Sequence, residues 1–249
     1  MNDIHFVCVF DHGSRELGLN HLISLQRNGI SNYSAYVTDC DTFNYIQSHG
    51  YNVVFEDCND ENITDEAKDF GTRDFNMFSY IRYKIVNKLL KTHQWVWYMD
   101  VDTVVMSGIK DFSIDMCKDK DIIFQNDCHM LCTGCVLYNS NELTLGFTDN
   151  VWKHATPSMN DQNLICQLHK AGSLTSLNID IFNYMEFPNG LLYFDTNDLI
   201  SVPPEILRIK QRYRANEHKK TAFVHANWMI GVDTKIKAIK NKGLWYVSY

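Results

Sequence analysis

The sequence has no excess of basic residues and no long hydrophobic run. These two absences argue against nucleic-acid binding and against a membrane-spanning protein. Its 249 residues contain 23 Lys and Arg against 30 Asp and Glu, which gives a formal net charge of −7. Without a general basic field, nucleic acid and anionic membrane surfaces are disfavoured as partners. No window approaches the roughly 20 apolar residues of a membrane-spanning helix. We therefore expect no membrane span.

The first residues also lack the basic flank and cleavage pattern of a secretion signal, and are typical of a first strand. The eight cysteines are therefore expected to be reduced thiols of a cytoplasmic protein, with a bacterial or viral setting favoured. Cys128, Cys132 and Cys135 lie close together, but their spacing provides no clear fourth ligand for structural zinc. No internal repeat, low-complexity tract or linker divides the chain, so we expect one domain over residues 1–249.

Short apolar runs alternate with helical patterns in the first half of the chain. Because short connections join them, this alternation predicts a parallel sheet with right-handed crossovers, which is an α/β fold. Residues 57–73 are polar and acidic, and predict a surface loop. The predicted strands are His5–Phe10, Tyr33–Val37, Tyr51–Phe55 and Trp95–Met99, and the predicted helices are Glu16–Arg27, Thr42–Ser48 and Phe75–Lys91.

The second half is less regular. A turn at Thr133–Gly134 is predicted to lead into a strand, and residues 179–208 are predicted to be rich in loops with short strands. The other predicted elements are the strands Asp121–Gln125, Cys135–Asn139 and Ala222–His225 and the helices Asn141–Val151, Asp161–Lys170 and Thr234–Asn241.

Two aspartates end the apolar fourth strand, in the stretch WVWYMDVDTVVM. Residues i and i+2 of a strand point to the same side, so Asp100 and Asp102 can converge. Two close carboxylates repel, and Mg²⁺ or Mn²⁺ would neutralise them while keeping positions open for substrate phosphates. In open α/β sheets, ligands gather beyond the carboxyl ends of strands, where this pair lies. The structural alternative is a solvated strand end or turn.

Two catalytic contexts fit this pair. A haloacid-dehalogenase-type phosphatase would use Asp100 as nucleophile and Asp102 as acid and base, but it needs a later acidic pair where the strand TAFVHANW ends in His225 and Asn227. A nucleotide-sugar transferase would instead use the two aspartates to present a metal to a sugar diphosphate. In that context His225 completes the metal shell, Gly231 permits close approach of phosphate, and Lys235 neutralises the departing diphosphate.

Several motifs, in this order, resemble those of the nucleotide-diphospho-sugar transferases grouped with glycosyltransferase family 77 and, more distantly, family 8. One departure from family 8 is that Gly231 follows His225 by six positions instead of three. The resemblance covers nearly the whole chain: a strand ending at Asp11, a helix with Asn20 and Ser24, a basic helix with Arg82 and Lys84, YMDVDTVV, Thr133–Gly134, Asn160–Asp161–Gln162, and the segment from His225 through Gly231 to Lys235.

This resemblance implies a GT-A fold, in which a Rossmann-like, mostly parallel mixed sheet is flanked by helices. It implies a nucleotide-binding half at residues 1–106, and an acceptor and sugar half at residues 107–249. The implied reaction is metal-dependent transfer of a sugar from a nucleoside diphosphate sugar, a UDP-sugar above all, to a hydroxyl of a glycan or other acceptor. It further implies retention of anomeric configuration and Mn²⁺, or Mg²⁺, as cofactor. A noncatalytic nucleotide-sugar-binding module is a third alternative.

The resemblance also implies roles for single residues. Asp161 is expected to bind sugar hydroxyls and Gln162 to lie near the anomeric carbon, although Asp161 would also suit the start of a helix. Asp11 or Asp39 is expected to accept a hydrogen bond from the nucleotide base, or to cap a turn. Arg82 and Lys84 point to different sides of one helix, so at most one faces the donor. Lys235 has a structural alternative as part of a solvated basic helix face.

Overall fold

The computed structural model describes residues 4–58, 71–128, 130–194, 204–215 and 220–248. Within these ranges the chain forms nine strands. They are β1 Ile4–Phe10, β2 Tyr33–Val37, β3 Val53–Phe55, β4 Trp95–Met99, β5 Thr103–Val105, β6 Ile122–Asp127, β7 Met130–Asn139, β8 Ile179–Ile181 and β9 Phe223–His225. Of these, β1, β4, β5 and β9 are buried along their whole length.

Seven of the strands form one mixed sheet in the order β3-β2-β1-β4-β7-β6-β8. The pairings β1–β2, β1–β4, β2–β3 and β6–β8 are parallel, and β4–β7 and β6–β7 are antiparallel. The chain crosses from β3 at one edge to β4 in the centre, and from β8 at the other edge it returns to β9. This mixed, mostly parallel sheet confirms the predicted α/β fold class.

Helices cover both faces of the sheet, which explains why β1 is buried along its whole length and reads as a continuous apolar run. Polar side chains start several of these helices: Thr72, Asn141 and Asn160 each accept a hydrogen bond from the first turn that follows. The helices are α1 Arg15–Arg27, α2 Cys40–Ser48, α3 Arg73–Leu90, α4 Glu142–Lys153, α5 Asp161–Lys170, α6 Gly190–Tyr193, α7 Pro204–Arg214 and α8 Val232–Asn241.

The predicted elements are confirmed, with two corrections. Thr133 and Gly134 do not form a turn but lie inside the long strand β7, opposite a register shift between Phe124 and Gln125 of β6. The predicted loop-rich region also contains the short helix α6 and the start of α7, whose amphipathic pattern buries Ile206. The predicted acidic loop at 57–73 lies mostly outside the described residues.

A separate two-stranded ribbon joins the two halves of the chain. In it β5 pairs antiparallel with β9, so that Thr103 lies opposite His225. The ribbon packs on α1, where the buried His21 Nδ1 donates to the Thr103 carbonyl at 2.8 Å and Ser24 Oγ accepts from Val105 N at 3.0 Å. These contacts place Asp100 and Asp102 next to β9, in the last third of the chain.

Among the described residues, no helix has both the length and the apolar character needed to cross a membrane. The longest is α3, which is amphipathic and packs one face on the sheet.

Candidate active site

Asp100 and Asp102 lie in the tight connection between β4 and β5, where their carboxylates meet the imidazole of His225. His225 Nε2 lies 3.1 Å from Asp102 Oδ1 and 4.0 Å from Asp100 Oδ2. The main chain fixes this meeting, since the N–H of Ala226 donates to the Asp102 carbonyl at 2.9 Å. The structure thus brings the predicted metal ligands together, with one ligand atom of each within 4.8 Å of the others.

The buried amide of Gln125 orients the His225 ring. Gln125 Nε2 donates to the carbonyls of Phe187 and Pro188 at 3.3 and 3.0 Å, which leaves its Oε1 facing His225 Nδ1 at 2.8 Å. Because an amide oxygen only accepts, the ring carries a proton on Nδ1 and presents Nε2 to the two aspartates. Metal-binding histidines are commonly oriented by such a partner on the second ring nitrogen.

Three cationic groups surround the two aspartates. Lys235 Nζ lies 2.8 Å from Asp102 Oδ2, and Arg82 Nη2 lies 3.3 Å from Asp100 Oδ1. Burial would raise the pKa of Asp102, but the positive charges of Lys235 and His225 hold that pKa well below its usual range. Burial would lower the pKa of His225 and of Lys235, but the charge of Asp102 raises both pKa values above their ordinary ones.

The donor set and the space around it fit a divalent ion. With metal–oxygen distances of about 2.1 Å, adjacent ligands of an octahedral Mg²⁺ lie about 3.0 Å apart and opposite ligands about 4.2 Å apart. The separations of 3.1 and 4.0 Å from His225 Nε2 are of this size. Gly134 keeps the space open, because a Cβ there would lie 2.5 Å from both Asp100 Oδ2 and His225 Cε1. Asp100, Asp102 and His225 could therefore hold a metal.

Arg82 links the acidic pair to the start of α5. Besides Asp100, its guanidinium contacts the Thr133 carbonyl at 2.7 Å and lies 3.6 Å from Asp161 Oδ2. The hydroxyl of Tyr83 donates to the same Asp161 oxygen at 3.1 Å. Burial would lower the pKa of Arg82, but the charges of Asp100 and Asp161 raise it well above its ordinary value. Asp161 is consequently part of the same charged group as the predicted metal ligands.

Gln162 belongs to a second polar cluster, centred on Asp127 at the end of β6. Asp127 is buried, and its carboxylate accepts hydrogen bonds from four uncharged side chains. Sequence reasoning missed this residue, because the polar Gln125 and Asn126 separate Asp127 from the apolar part of its strand. The four donors are Gln162 Nε2 at 3.1 Å, Asn189 Nδ2 at 3.2 Å, Asn227 Nδ2 at 3.2 Å and Trp228 Nε1.

The two aspartates considered for the nucleotide base end β1 and β2 and are both buried. Asp11 Oδ1 accepts from the Ser14 hydroxyl at 3.0 Å, in a capping box that begins a short 3-10 turn. Asp39 Oδ1 accepts from Thr42 N at 2.8 Å and so caps α2. The other oxygen of Asp39 is buried without a hydrogen-bond partner among the described residues. Both predicted capping roles are present, and Oδ2 of Asp39 can still accept a hydrogen bond.

Gly231 and Lys84 complete the set of predicted site residues. Gly231 begins α8 with φ of +86°, a conformation that favours glycine, and a Cβ there would meet only Thr234 Oγ1 at 3.9 Å. Lys84 does not join the site. Its ammonium lies 3.1 Å from Glu56 Oε1 and stands over the Trp152 ring, on the opposite side of α3 from Arg82. Of this pair, only Arg82 faces the acidic cluster.

Comparison with known proteins agrees with this geometry. A model of the nucleotide-diphospho-sugar transferase family matches residues 28–239. The chain is 24% identical over 261 residues to the beta-arabinofuranosyltransferase RAY1 of Arabidopsis thaliana, an alignment covering 95% of this chain and 46% of that protein. The chain therefore spans about half the length of the curated relative that it matches.

Solved structures show the same architecture at low sequence identity. The galactosyltransferase LgtC, solved with donor and acceptor sugar analogs, superposes with a TM-score of 0.57 at 12% identity, covering 98% of this chain and 97% of that one. A glycosyltransferase involved in glycosylation of the major capsid of PBCV-1 gives 0.55 at 10% identity, covering 96% and 98%. GlyE of Streptococcus pneumoniae TIGR4 gives 0.54 at 13% identity, covering 99% and 65%.

These similarities to solved structures show the fold, and they confirm the predicted GT-A architecture. The family match covers most of the chain, including the acidic pair, the start of α5 and the segment from His225 into α8. The predicted membership of the nucleotide-diphospho-sugar transferases is thereby confirmed. The chain belongs to the nucleotide-diphospho-sugar transferase family.

Proposed function

We propose that this protein is a metal-dependent glycosyltransferase that moves a sugar from a UDP-sugar to a hydroxyl of a glycan or other acceptor, with retention of anomeric configuration. The observation that carries the proposal is the cluster of Asp100, Asp102 and His225 with Lys235 on the same carboxylate. Such a cluster pairs ligands for a cation with a separate positive charge, which is what a sugar diphosphate requires.

The donor diphosphate binds at this cluster in the proposed reaction. Mn²⁺, or Mg²⁺, held by Asp100, Asp102 and His225 would supply electrostatic stabilisation of the charge that builds up on the diphosphate as it leaves. Lys235 is the second positive group at the same place, and its ammonium is 2.8 Å from Asp102. The start of α8 adds backbone N–H groups that favour phosphate, with Gly231 allowing close approach.

The sugar binds next to Asp161 and Gln162 in this scheme. Tyr83 and Arg82 fix the Asp161 carboxylate, which supports its role as acceptor for sugar hydroxyls. Because Gln162 Nε2 donates to Asp127, its Oε1 remains the group that can face positive charge on the anomeric carbon. The bond from the anomeric carbon to diphosphate oxygen breaks, a bond to acceptor oxygen forms on the same face, and the leaving phosphate oxygen takes the acceptor proton.

The nucleotide base binds at the ends of β1 and β2. The buried, unpartnered Oδ2 of Asp39 supports this assignment, since buried polar atoms normally have a partner and a base N–H would provide one. Asp11 lies at the end of the neighbouring strand. We also propose a reducing, cytoplasmic setting, because all eight cysteines are free thiols.

The first test is binding of UDP with and without Mn²⁺, followed by thermal unfolding. We expect Mn²⁺ and UDP together to raise the midpoint more than the sum of their separate effects, because each completes the binding site of the other. A panel of UDP-sugars is then tested for hydrolysis and transfer, and the anomeric configuration of the product is read by NMR. Binding without turnover on the whole panel would favour the noncatalytic module, and an inverted product would contradict retention.

A further inference from the structure

The turn at Asn227 and Trp228 has an unusual backbone conformation. Trp228 has φ of +63°, and among the described residues the only other non-glycine residue with positive φ is Cys128 at +54°. Both residues adjoin the cluster around Asp127. A bulky residue in this conformation is strained and persists only where its surroundings hold it in place, which is a common property of binding sites.

Three hydrogen bonds hold the turn. The indole N–H of Trp228 and the amide of Asn227 both donate to Asp127 Oδ1. On the other side, the N–H of Gly190 donates to Asn227 Oδ1 at 2.7 Å. Gly190 also allows the two segments to touch, because a Cβ at this position would lie 1.9 Å from the Asn227 carbonyl oxygen. The indole is therefore held by its polar edge, and Trp228 remains partly exposed.

The position of the indole relative to Gln162 indicates what it can bind. Trp228 donates to one oxygen of the Asp127 carboxylate and Gln162 to the other, so the two side chains flank one group. A sugar ring has an apolar C–H face and polar hydroxyls at its edge. An indole surface removes the first from water, and a neighbouring amide binds the second. Both requirements are met at this place.

The acceptor sugar fits this place better than the donor sugar. In the proposed function the donor is bound by the metal cluster, Lys235 and Asp161, whereas the indole N–H of Trp228 is bound to Asp127 and contacts none of these groups. The turn instead continues into Ile230, whose side chain is 73% exposed. An acceptor has to enter from solvent and end beside the anomeric carbon, and the partly exposed indole next to an exposed apolar residue lies on such a path.

We infer that Trp228 is the stacking platform for the acceptor sugar, and that Asp127 holds this ring and Gln162 in one fixed arrangement. The inference rests on the proposed function and adds to it the acceptor subsite and a residue that determines acceptor affinity. Asp127 is a positioning residue, because its two oxygens are occupied by the side chains that touch substrate.

The test uses the indole N–H of Trp228 as a probe. The five tryptophans give five indole signals in a ¹H–¹⁵N spectrum, and the signal of Trp228 is assigned by its loss in Trp228→Phe. The protein is loaded with Mg²⁺ and UDP and titrated with methyl glycosides of galactose, glucose, xylose and arabinose. We expect at least one glycoside to move the Trp228 signal in a saturable way while the signal of Trp152, on α4, stays in place.

Substitution makes the test quantitative. Trp228→Ala is expected to weaken the bound glycoside by about tenfold, and Trp228→Phe, which keeps a ring but loses the N–H, by a smaller factor. Trp152→Ala is the matched control, a partly exposed tryptophan outside the site, and should leave glycoside affinity unchanged. The inference is overturned if no glycoside moves the Trp228 signal, or if Trp228→Ala binds the glycoside as well as the native protein. Metal-dependent UDP binding is measured in the same samples, so failure of the donor site is seen separately.

Discussion

The molecule contains two buried carboxylate clusters, and they are neutralised by different chemistry. Asp100 and Asp102 are compensated by groups that carry positive charge: Arg82, His225 and Lys235. Asp127 accepts hydrogen bonds from four neutral side-chain N–H groups and has no cationic partner among the described residues. Both carboxylate groups lie at the ends of strands of the same sheet, so the difference arises from what surrounds them.

The difference indicates what each cluster is built for. Cationic partners on flexible side chains, such as Lys235, can exchange with a metal ion or turn to a phosphate without leaving a carboxylate unpaired. Neutral donors from four separate segments satisfy Asp127 fully, and replacing them would cost several hydrogen bonds at once. The first cluster is able to exchange its partners during a reaction, and the second is a fixed frame.

Removing the acceptor charge of the first cluster should have the largest effect. Asp102→Asn is expected to abolish Mn²⁺-dependent UDP binding and to lower turnover by about a thousandfold, because the metal and the diphosphate lose their shared anchor. Isothermal titration with Mn²⁺ and UDP measures the binding, and circular dichroism verifies the fold. The control is Asp149→Asn, an exposed aspartate paired with Lys153. Normal metal-dependent binding in Asp102→Asn would contradict the assignment.

Acid should weaken the support of the first cluster. His21, which donates to the Thr103 carbonyl, is fully buried, and burial lowers its pKa to about 4. Between pH 6.5 and 4, this histidine binds a proton in the unfolded chain but stays neutral in the folded protein. The free energy of unfolding therefore falls as the pH is lowered. The loss reaches about 3 kcal/mol near pH 4. Urea unfolding of the native protein and of His21→Gln between pH 7 and 4 measures this loss. If the free energy of unfolding depends on pH equally in both proteins, the prediction is contradicted.

Disturbing the second cluster should affect sugar transfer and spare nucleotide binding. Asp127→Asn turns an acceptor into a partial donor that faces the N–H groups of Gln162, Asn227 and Trp228. We expect transfer to fall about 10- to 100-fold while metal-dependent UDP affinity changes less than about twofold. Steady-state kinetics and UDP titration on the same preparation check this pair of outcomes. Parallel losses of transfer and UDP affinity would mean that the two clusters are not independent.

The smallest expected effect separates a lysine of the site from one outside it. Lys235→Met should weaken UDP by about tenfold, since it removes a partly buried positive charge beside the proposed diphosphate site. Lys84→Met should change UDP affinity by less than about twofold, because the partly exposed pair of Lys84 with Glu56 lies away from the acidic cluster. Fluorescence titration with UDP compares the two. Similar losses in both variants would argue that Lys84 also reaches the donor.

Local pattern was enough to predict most of the fold, and the resemblance to the transferase family joined the two aspartates with His225. The apolar strand predicts where the two carboxylates lie, and the tight connection from β4 into β5 brings them together. For Arg82 and Lys84 the helical period says that the two side chains diverge, but it does not say which one faces inward. The packing of α3 on the sheet decides this, and it is a property of the whole fold.

Long-range contacts account for what local pattern did not predict. Gly134 was interpreted as a turn residue, whereas its lack of a side chain makes room for Asp100 and His225 inside a strand. Gln125 and Asp127 acquire their importance from partners that lie about 35 to 100 residues away in the chain. Nothing in the neighbouring sequence marks those partners, so sequence alone could suggest a carboxylate at the strand end but not its role.

The ribbon of β5 and β9 has a consequence for how the protein folds. Its pairing joins Thr103 to His225 across more than a hundred residues, and such distant contacts are slow to form because a long loop has to close first. Before that loop closes, Asp100 and Asp102 are close together in the chain, but His225 has not yet been brought to them. In the proposed function, high-affinity uptake of manganese during refolding would therefore mark the moment at which the last third of the polypeptide docks.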